Sequence, residues 1–187
     1  MIRANHAGDA PRIDPSAMVC PSATIVGKVE IGAKVFVGPN AVIRADEPGP
    51  DGVVESILVR ERANIQDGVI IHALGGSRVV IGRGSSLAHG AVVHGPCRVG
   101  DDCFIGFNSV VFKASLGEGV IVMHQCLVEG VNVPAGMCVP SMTAVITDND
   151  VSRLGPPAPD LVEFARRVRD TNVGLTEAAA RRPAMAG

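Results

Sequence analysis

Three histidines, His72, His89 and His94, stand close together in the pattern H-x16-H-x4-H. Neutral imidazole is the commonest ligand of divalent metals, and three of them around an open fourth position make the ligand set of a catalytic zinc site. Two carboxylates, Asp46 and Glu47, lie upstream beside Arg44, and Asn64, Gln66 and Asp67 precede the first of the three. Any one such histidine more often packs between subunits than binds an ion. Of the other two, His6 is expected to be solvated in an amino-terminal tail and His124 to pack at an interface. Five cysteines, Cys20, Cys97, Cys103, Cys126 and Cys138, include no C-x-x-C pair, so reduced structural thiols are expected.

The elements that position these residues follow from an internal repeat. Aliphatic residues recur every six positions from Ile13 to Ile43, from Val59 to Ile71, and from Ile81 to Val111. Shorter blocks follow at Leu116, Val122 and Val128, and at Val133, Val139 and Val145; all 21 positions are Leu, Ile or Val. A period of six suits neither an α-helix nor a simple alternating strand. It suits short strands joined by tight turns, three to a coil, with one aliphatic per strand pointing into the bore of a parallel β-helix. The blocks make about seven coils at three strands each. Ten extra residues between Ile43 and Val59, and four between Ile71 and Ile81, are expected as surface loops on the working face.

Ladder arithmetic then groups the polar residues. Arg44, His72 and His94 each follow a rung of the same face, so they form one column with coils about 4.8 Å apart. Two imidazoles so placed can share one ion. Asp67 and His89 each lie two residues past a rung of the preceding face and form a second column, on which His124 also falls, two coils higher. If identical prisms pack around a threefold axis, the first column of one faces the second column of the next, and three histidines converge at each interface.

The β-helix is expected over residues 1–147, a Pro-rich linker over 148–159, and a C-terminal helix over 160–182 packed on the β-helix. Asp160 and Glu163 suggest a capping box, Leu161, Phe164, Val168 and Leu175 an apolar stripe, and the closing RPAMAG is expected to fray. Composition agrees with a β-solenoid: 47% of residues are hydrophobic, Val and Ile dominate them, and Trp and Tyr are absent. A formal net charge of −2 gives no electrostatic footprint for nucleic acid or an anionic membrane. No uncharged apolar run reaches the roughly 18 residues of a membrane span, and the first residues lack the apolar core of a signal peptide. The expected location is the cytoplasm.

The segments IRADEPGP, ERANIQDGVIIHAL, LAHGAVVHGP and VGDDCFIGF closely resemble the γ-class carbonic anhydrases, and the likeness spans Ile13 to Asn172. The resemblance implies a left-handed β-helix, a homotrimer, and a Zn2+ cofactor, with Fe2+ or Co2+ also suited to three imidazoles. It implies His72 and His94 as metal ligands from one subunit and His89 as the ligand from the next. Arg44 and Asp67 resemble the ion pair that joins subunits. Glu47 resembles the active-site carboxylate, Gln66 the residue that hydrogen-bonds the reacting water, Asn64 its supporting neighbour, and Asn172 an Asn that lines the pocket. There are departures: Gly75 stands where the archaeal family enzyme carries a proton-shuttling Glu, Asp170 replaces a Tyr, and Val120 replaces one of a regulatory cysteine pair. Gly75→Glu is accordingly expected to restore part of a proton route.

The implied function is reversible hydration of CO2 to bicarbonate, with zinc lowering the pKa of water from 15.7 to about 7 and Glu47 accepting the proton. Two other readings stand beside it. A hexapeptide-repeat acyltransferase would use one histidine as base and need no metal. A non-catalytic carboxysome-type assembly or bicarbonate-binding module would bind protein partners instead.

Overall fold

The computed structural model describes residues 1–180. Short strands wind through three parallel sheets, one of eight strands and two of seven. The result is the left-handed parallel β-helix of about seven coils expected from the repeat, closed by a C-terminal helix. Successive rungs stack in register, as Ile43–Ile71–Val93–Val111–Val128 do along one sheet. Nearly all rungs sit in a single buried cluster with Ala23, Ala41, Ala63 and Ala91 filling the corners. Each fully buried aliphatic contributes about 1.5–3 kcal/mol of transfer free energy, so the column of rungs is the main cohesive element.

The three faces differ outside the bore. We call them A, B and C, after the strands Val42–Ala45, Ile57–Val59 and Asn64–Ile65 respectively. Face C is covered. Its outward residues Phe36, Asn64, Ser86 and Phe104 are all buried, beneath the helix Pro159–Ala180, here α2 because a single turn of helix, α1 (Asp148–Val151), precedes it. Face B is mostly polar, with Arg12, Glu30, Arg98, Ser115 and Asn132 facing outward and Leu58 and Val80 between them. Face A carries Val42, Ile70, Val92, Val110 and Leu127 down its middle, with no element laid over them, and Ile70 is 42% exposed.

Several expectations are corrected. The first residues are not a loose tail: Ile2–Arg3 adds an eighth strand to face A, paired with Ile25 and Val26. The linker contains α1, and the reciprocal capping box belongs there, between Thr147 and Asp150, rather than to Asp160 and Glu163. Helix α2 begins one residue early because Pro159, whose missing N–H costs nothing in a first turn, starts it. Its packed stripe is Leu161, Ala165, Val168, Val173 and Thr176, while Phe164 and Leu175 remain 41% and 51% exposed. The expected helix end at 181–182 and the fraying of 182–187 lie outside the described residues.

Both long insertions leave from the same corner, between faces A and B, in consecutive coils. The first closes on itself through a bridge between Pro48 and Val54. The second lies against it so closely that a Cβ on Gly75 would stand 2.2 Å from the Pro48 carbonyl oxygen. Apart from the amino-terminal step from Ile2 to Ile13, the other steps at that corner are six residues or fewer, so both insertions within the stacked coils lie beside the His72 column.

Candidate metal centre

Register puts Arg44, His72 and His94 side by side on face A, in three consecutive coils. His72 Nδ1 and His94 Nε2 approach to 3.0 Å. Two nitrogens bound to one tetrahedral zinc would lie about 3.3 Å apart, given Zn–N bonds near 2.0–2.1 Å. The remaining nitrogen of each ring faces oxygen. His72 Nε2 lies 3.5 Å from Asp46 Oδ1 and 3.4 Å from Glu47 Oε1, but makes no hydrogen bond that would satisfy it, although it is buried. His94 Nδ1 lies 3.4 Å from the Gly95 carbonyl oxygen. Metal-binding histidines characteristically present one nitrogen to the ion and the other to a carboxylate or carbonyl, which fixes the tautomer. His72 and His94 thus present two nitrogens spaced as two ligands of one ion would be.

His89 stands at the end of face C, in the same coil as His94, with Nδ1 3.8 Å from Asp67 Oδ2 and its ring stacked on Phe107. It repeats the imidazole–carboxylate pairing of His72. Its described contacts include neither His72 nor His94. Among the described residues, one chain brings no group of three or more His, Cys, Asp or Glu side chains into metal-holding geometry. One chain thus presents two imidazoles on one column and a third on the other.

The supporting residues divide in the same way. Beside the histidine pair, Glu47 Oε2 accepts the Gly75 backbone N–H at 3.3 Å, which ties the carboxylate to the second insertion. Arg44 is bound in its own chain to Asp46, with Nε and Nη2 at 3.1 and 3.2 Å, and is not in contact with Asp67. Burial works to raise the pKa of Asp46, but the Arg44 hydrogen bond and charge, helped by His72, outweigh it and hold the carboxyl below its ordinary value. On the His89 side, Gln66 is buried at the junction of face C with α2 and lines a cavity with Asn172, Phe164 and Thr171. Asn172 donates to the Val168 carbonyl at 2.9 Å. Asn64 is fully buried; its amide donates weakly to Ser86 Oγ at 3.4 Å and its amide oxygen accepts no hydrogen bond.

Sequence reasoning singled out the histidines and Glu47 but gave Asp46 no role of its own, because it lies in an insertion where ladder arithmetic stops. It put His124 on the His89 column but missed Phe107 stacked between them, which was legible from the shared offset of two residues past Leu87, Ile105 and Val122. The Gly75 expectation is corrected: a side chain there would run into the Pro48 backbone, so the shuttle position is closed, not merely vacated. Cys97 and Cys103 are buried, each thiol donating to a backbone carbonyl (His94 and Gly117, at 3.2 and 3.1 Å), which is the structural role expected of them.

The chain is similar to several known proteins. Residues 78–113 match the family described as bacterial transferase hexapeptide (six repeats). The carboxysome assembly protein CcmM of a Nostoc species is 41% identical over 174 residues, covering 88% of this chain and 30% of that protein. The carbonic anhydrase of Methanosarcina thermophila is 38% identical over 169 residues, covering 80% of this chain and 66% of the enzyme. Among solved structures, a hexapeptide transferase family protein from Anaplasma phagocytophilum matches with a TM-score of 0.77 at 22% identity, covering 95% of this chain and 97% of that one, a likeness of fold alone. With its ladder of coils, the chain belongs to the hexapeptide-repeat family. Its relatives include the carboxysome assembly protein and the carbonic anhydrase, in line with the resemblance read from the sequence. It spans about 30% of the length of the first and 66% of the second.

Proposed function

We propose that the protein is a zinc-dependent carbonic anhydrase that hydrates CO2 reversibly at the subunit interfaces of a homotrimer. The observation that carries the reading is that all three imidazoles have one nitrogen beside an oxygen acceptor, while His72 and His94 point their others at each other 3.0 Å apart. The trimer is supported by the faces. Helix α2 covers C and B has only Leu58 and Val80 among its outward polar residues, which leaves A, with its continuous outward aliphatic strip, as the face that gains most from burial against other copies. If face A looks toward a threefold axis, its two edges carry the His72–His94 column and the His89 column to opposite neighbours.

Zinc bound there supplies the Lewis acidity that makes water nucleophilic near neutral pH, and Fe2+ or Co2+ would suit the same ligands. The chain's own residues do the rest. Glu47, 44% exposed and held by the Gly75 N–H, stands where it can accept a proton and release it to solvent buffer. Gln66 and Asn172, on the His89 side of the interface, would orient the reacting water and close the pocket, with Asn64 supporting Gln66 from below. Arg44 and Asp67 would join copies once Arg44 turns from Asp46. With Gly75 closed to a carboxylate, Glu47 is the only proton acceptor the proposal needs, and turnover depends on buffer. The working location would be the cytoplasm or a carboxysome interior, with carboxysome components or another assembly as partners.

The test is metal analysis combined with stopped-flow CO2 hydration on zinc-loaded protein. One metal per chain and a rate well above the uncatalysed reaction are expected. Protein purified without chelator that holds almost no metal would favour an acyltransferase. Full metal without hydration would favour the non-catalytic assembly module, a reading that the closed Gly75 position specifically supports.

A further inference from the structure

We propose that the contact between copies does not stop at the metal but runs two coils higher, through an aromatic layer to a hydrogen-bonded pair between His124 of one copy and Glu129 of the next. The inference rests on the reading above in one respect, that His72 and His94 of one copy meet His89 of another. His89 and His94 belong to the same coil. Their meeting therefore fixes the height of one copy on the next to within about one strand spacing, roughly 4.8 Å. Each higher coil must then meet its own counterpart.

Along the first column, Phe112 and Glu129 follow His94 in successive coils. Along the second, Phe107 and His124 follow His89. Phe107 and Phe112 share one coil, and His124 and Glu129 share the next. The two columns thus oppose imidazole to imidazole, then ring to ring, then donor to acceptor. The second column is built rigidly: the Phe107 ring stacks between His89 (centroids 5.6 Å apart, planes 11° apart) and His124 (4.5 Å, 12°).

That stack also decides the protonation geometry of His124. Its Nδ1 accepts the Phe107 backbone N–H at 3.0 Å, so in the neutral ring the proton sits on Nε2, on the far side of the imidazole. Among the described residues, neither that nitrogen nor the Glu129 carboxylate has a hydrogen-bond or ion-pair partner, although both side chains are half-buried on the columns that copies would bring together. Val110 and Leu127 carry the apolar strip of face A to the same height, so the two groups would meet at its border. A second copy is the occupant that supplies both the missing acceptor and the missing donor.

Cross-linking tests the geometry. A chain carrying both His124→Cys and Glu129→Cys, oxidised with copper phenanthroline, should run as covalent dimers and trimers on a non-reducing gel, while each single variant runs as a monomer. A double-mutant cycle on metal-free protein tests the energetics by sedimentation equilibrium. His124→Ala and Glu129→Ala should each weaken subunit association about tenfold, and the double variant no more than either alone. A trimer that binds zinc and hydrates CO2, yet shows additive effects and no cross-link, overturns this interface alone. A trimer that cross-links but holds no zinc and hydrates no CO2 overturns the metal reading and leaves the interface standing. A monomer at every concentration overturns both.

Discussion

His72 and His94 can share an ion because each follows a rung of face A, in adjacent coils whose spacing the backbone ladder sets. His89 sits one face away, and the proposed centre therefore needs two chains. A His89→Ala chain and a His94→Ala chain should each be inactive alone. Unfolded and reassembled together, a His89→Ala subunit offers His72 and His94 while a neighbouring His94→Ala subunit offers His89. Interfaces in a ring have a fixed direction, so roughly one in four is complete, and both bound metal and hydration should return to about a quarter of wild type. Mixtures that stay inactive while wild type refolds would mean that one chain owns all three ligands. Cys103 supports a second prediction. Burial pushes its thiol up from the ordinary 9.0 to about 11, against hydrogen bonds that partly offset the shift. The folded state thus holds the proton more tightly. The resulting stability is intact below pH 9, declines between pH 9 and about 11, and then levels off. In that window Cys103→Ser should reduce the pH slope of unfolding free energy by about 1.4 kcal/mol per pH unit, read from urea melts. An unchanged slope would show that the thiol is not buried.

At the scale of elements, the coils approach one another closely at the turn that leaves face B. A Cβ on Gly82 would lie 2.2 Å from the Gly100 carbonyl oxygen, and one on Gly100 would lie 2.7 Å from the Gly117 carbonyl carbon. At Gly82 and Gly100 it is this close approach, and not a left-handed dihedral, that excludes a side chain, whereas Asp14, Arg60 and Pro134 hold the same position in other coils. Gly119 is the contrasting case, with φ +65° and open space around it. Gly100→Ala should cost about 3 kcal/mol through overpacking, and Gly119→Ala about 1 kcal/mol through backbone strain. Chemical denaturation of the two variants decides it; equal losses would refute the close-approach account. The same reasoning makes Gly75→Glu destabilising for the paired insertions, so it should lower the melting temperature without relieving any dependence on buffer. Helix α2 shows why its stripe was misread. A Phe and a Leu at helical spacing look like a core face, but Phe164 only edges against Phe104, at 5.6 Å, and Leu175 stays exposed. The position of α2 is set by small residues such as Ala165 and Thr176 that let it approach face C.

At the scale of the whole molecule, a metal shared between chains links ion binding to assembly. A ligand that binds only the assembled state stabilises it by mass action, by about 2.7 kcal/mol per site at a hundredfold excess over its dissociation constant. Chelation should therefore lower the melting temperature and shift the trimer toward smaller species in sedimentation, and Arg44→Ala should loosen the trimer further. A stable monomer that still binds metal would refute the linkage. The β-helix was legible in the sequence because its rule is local: a six-residue step fixes which side chain enters the bore and which residues share a column. The register of Arg44, His72 and His94, and that of Asp67 and His89, came from the same arithmetic and matches the strand pairing and contacts observed. What the step could not reach lies off the ladder. The stacking of the two insertions, the closing of Gly75 by Pro48, the capture of Arg44 by Asp46 and the line along which α2 touches face C all depend on contacts between segments far apart in the chain. Those contacts are set by packing and backbone approach in three dimensions, which no periodicity encodes, and so the tertiary structure alone decided them.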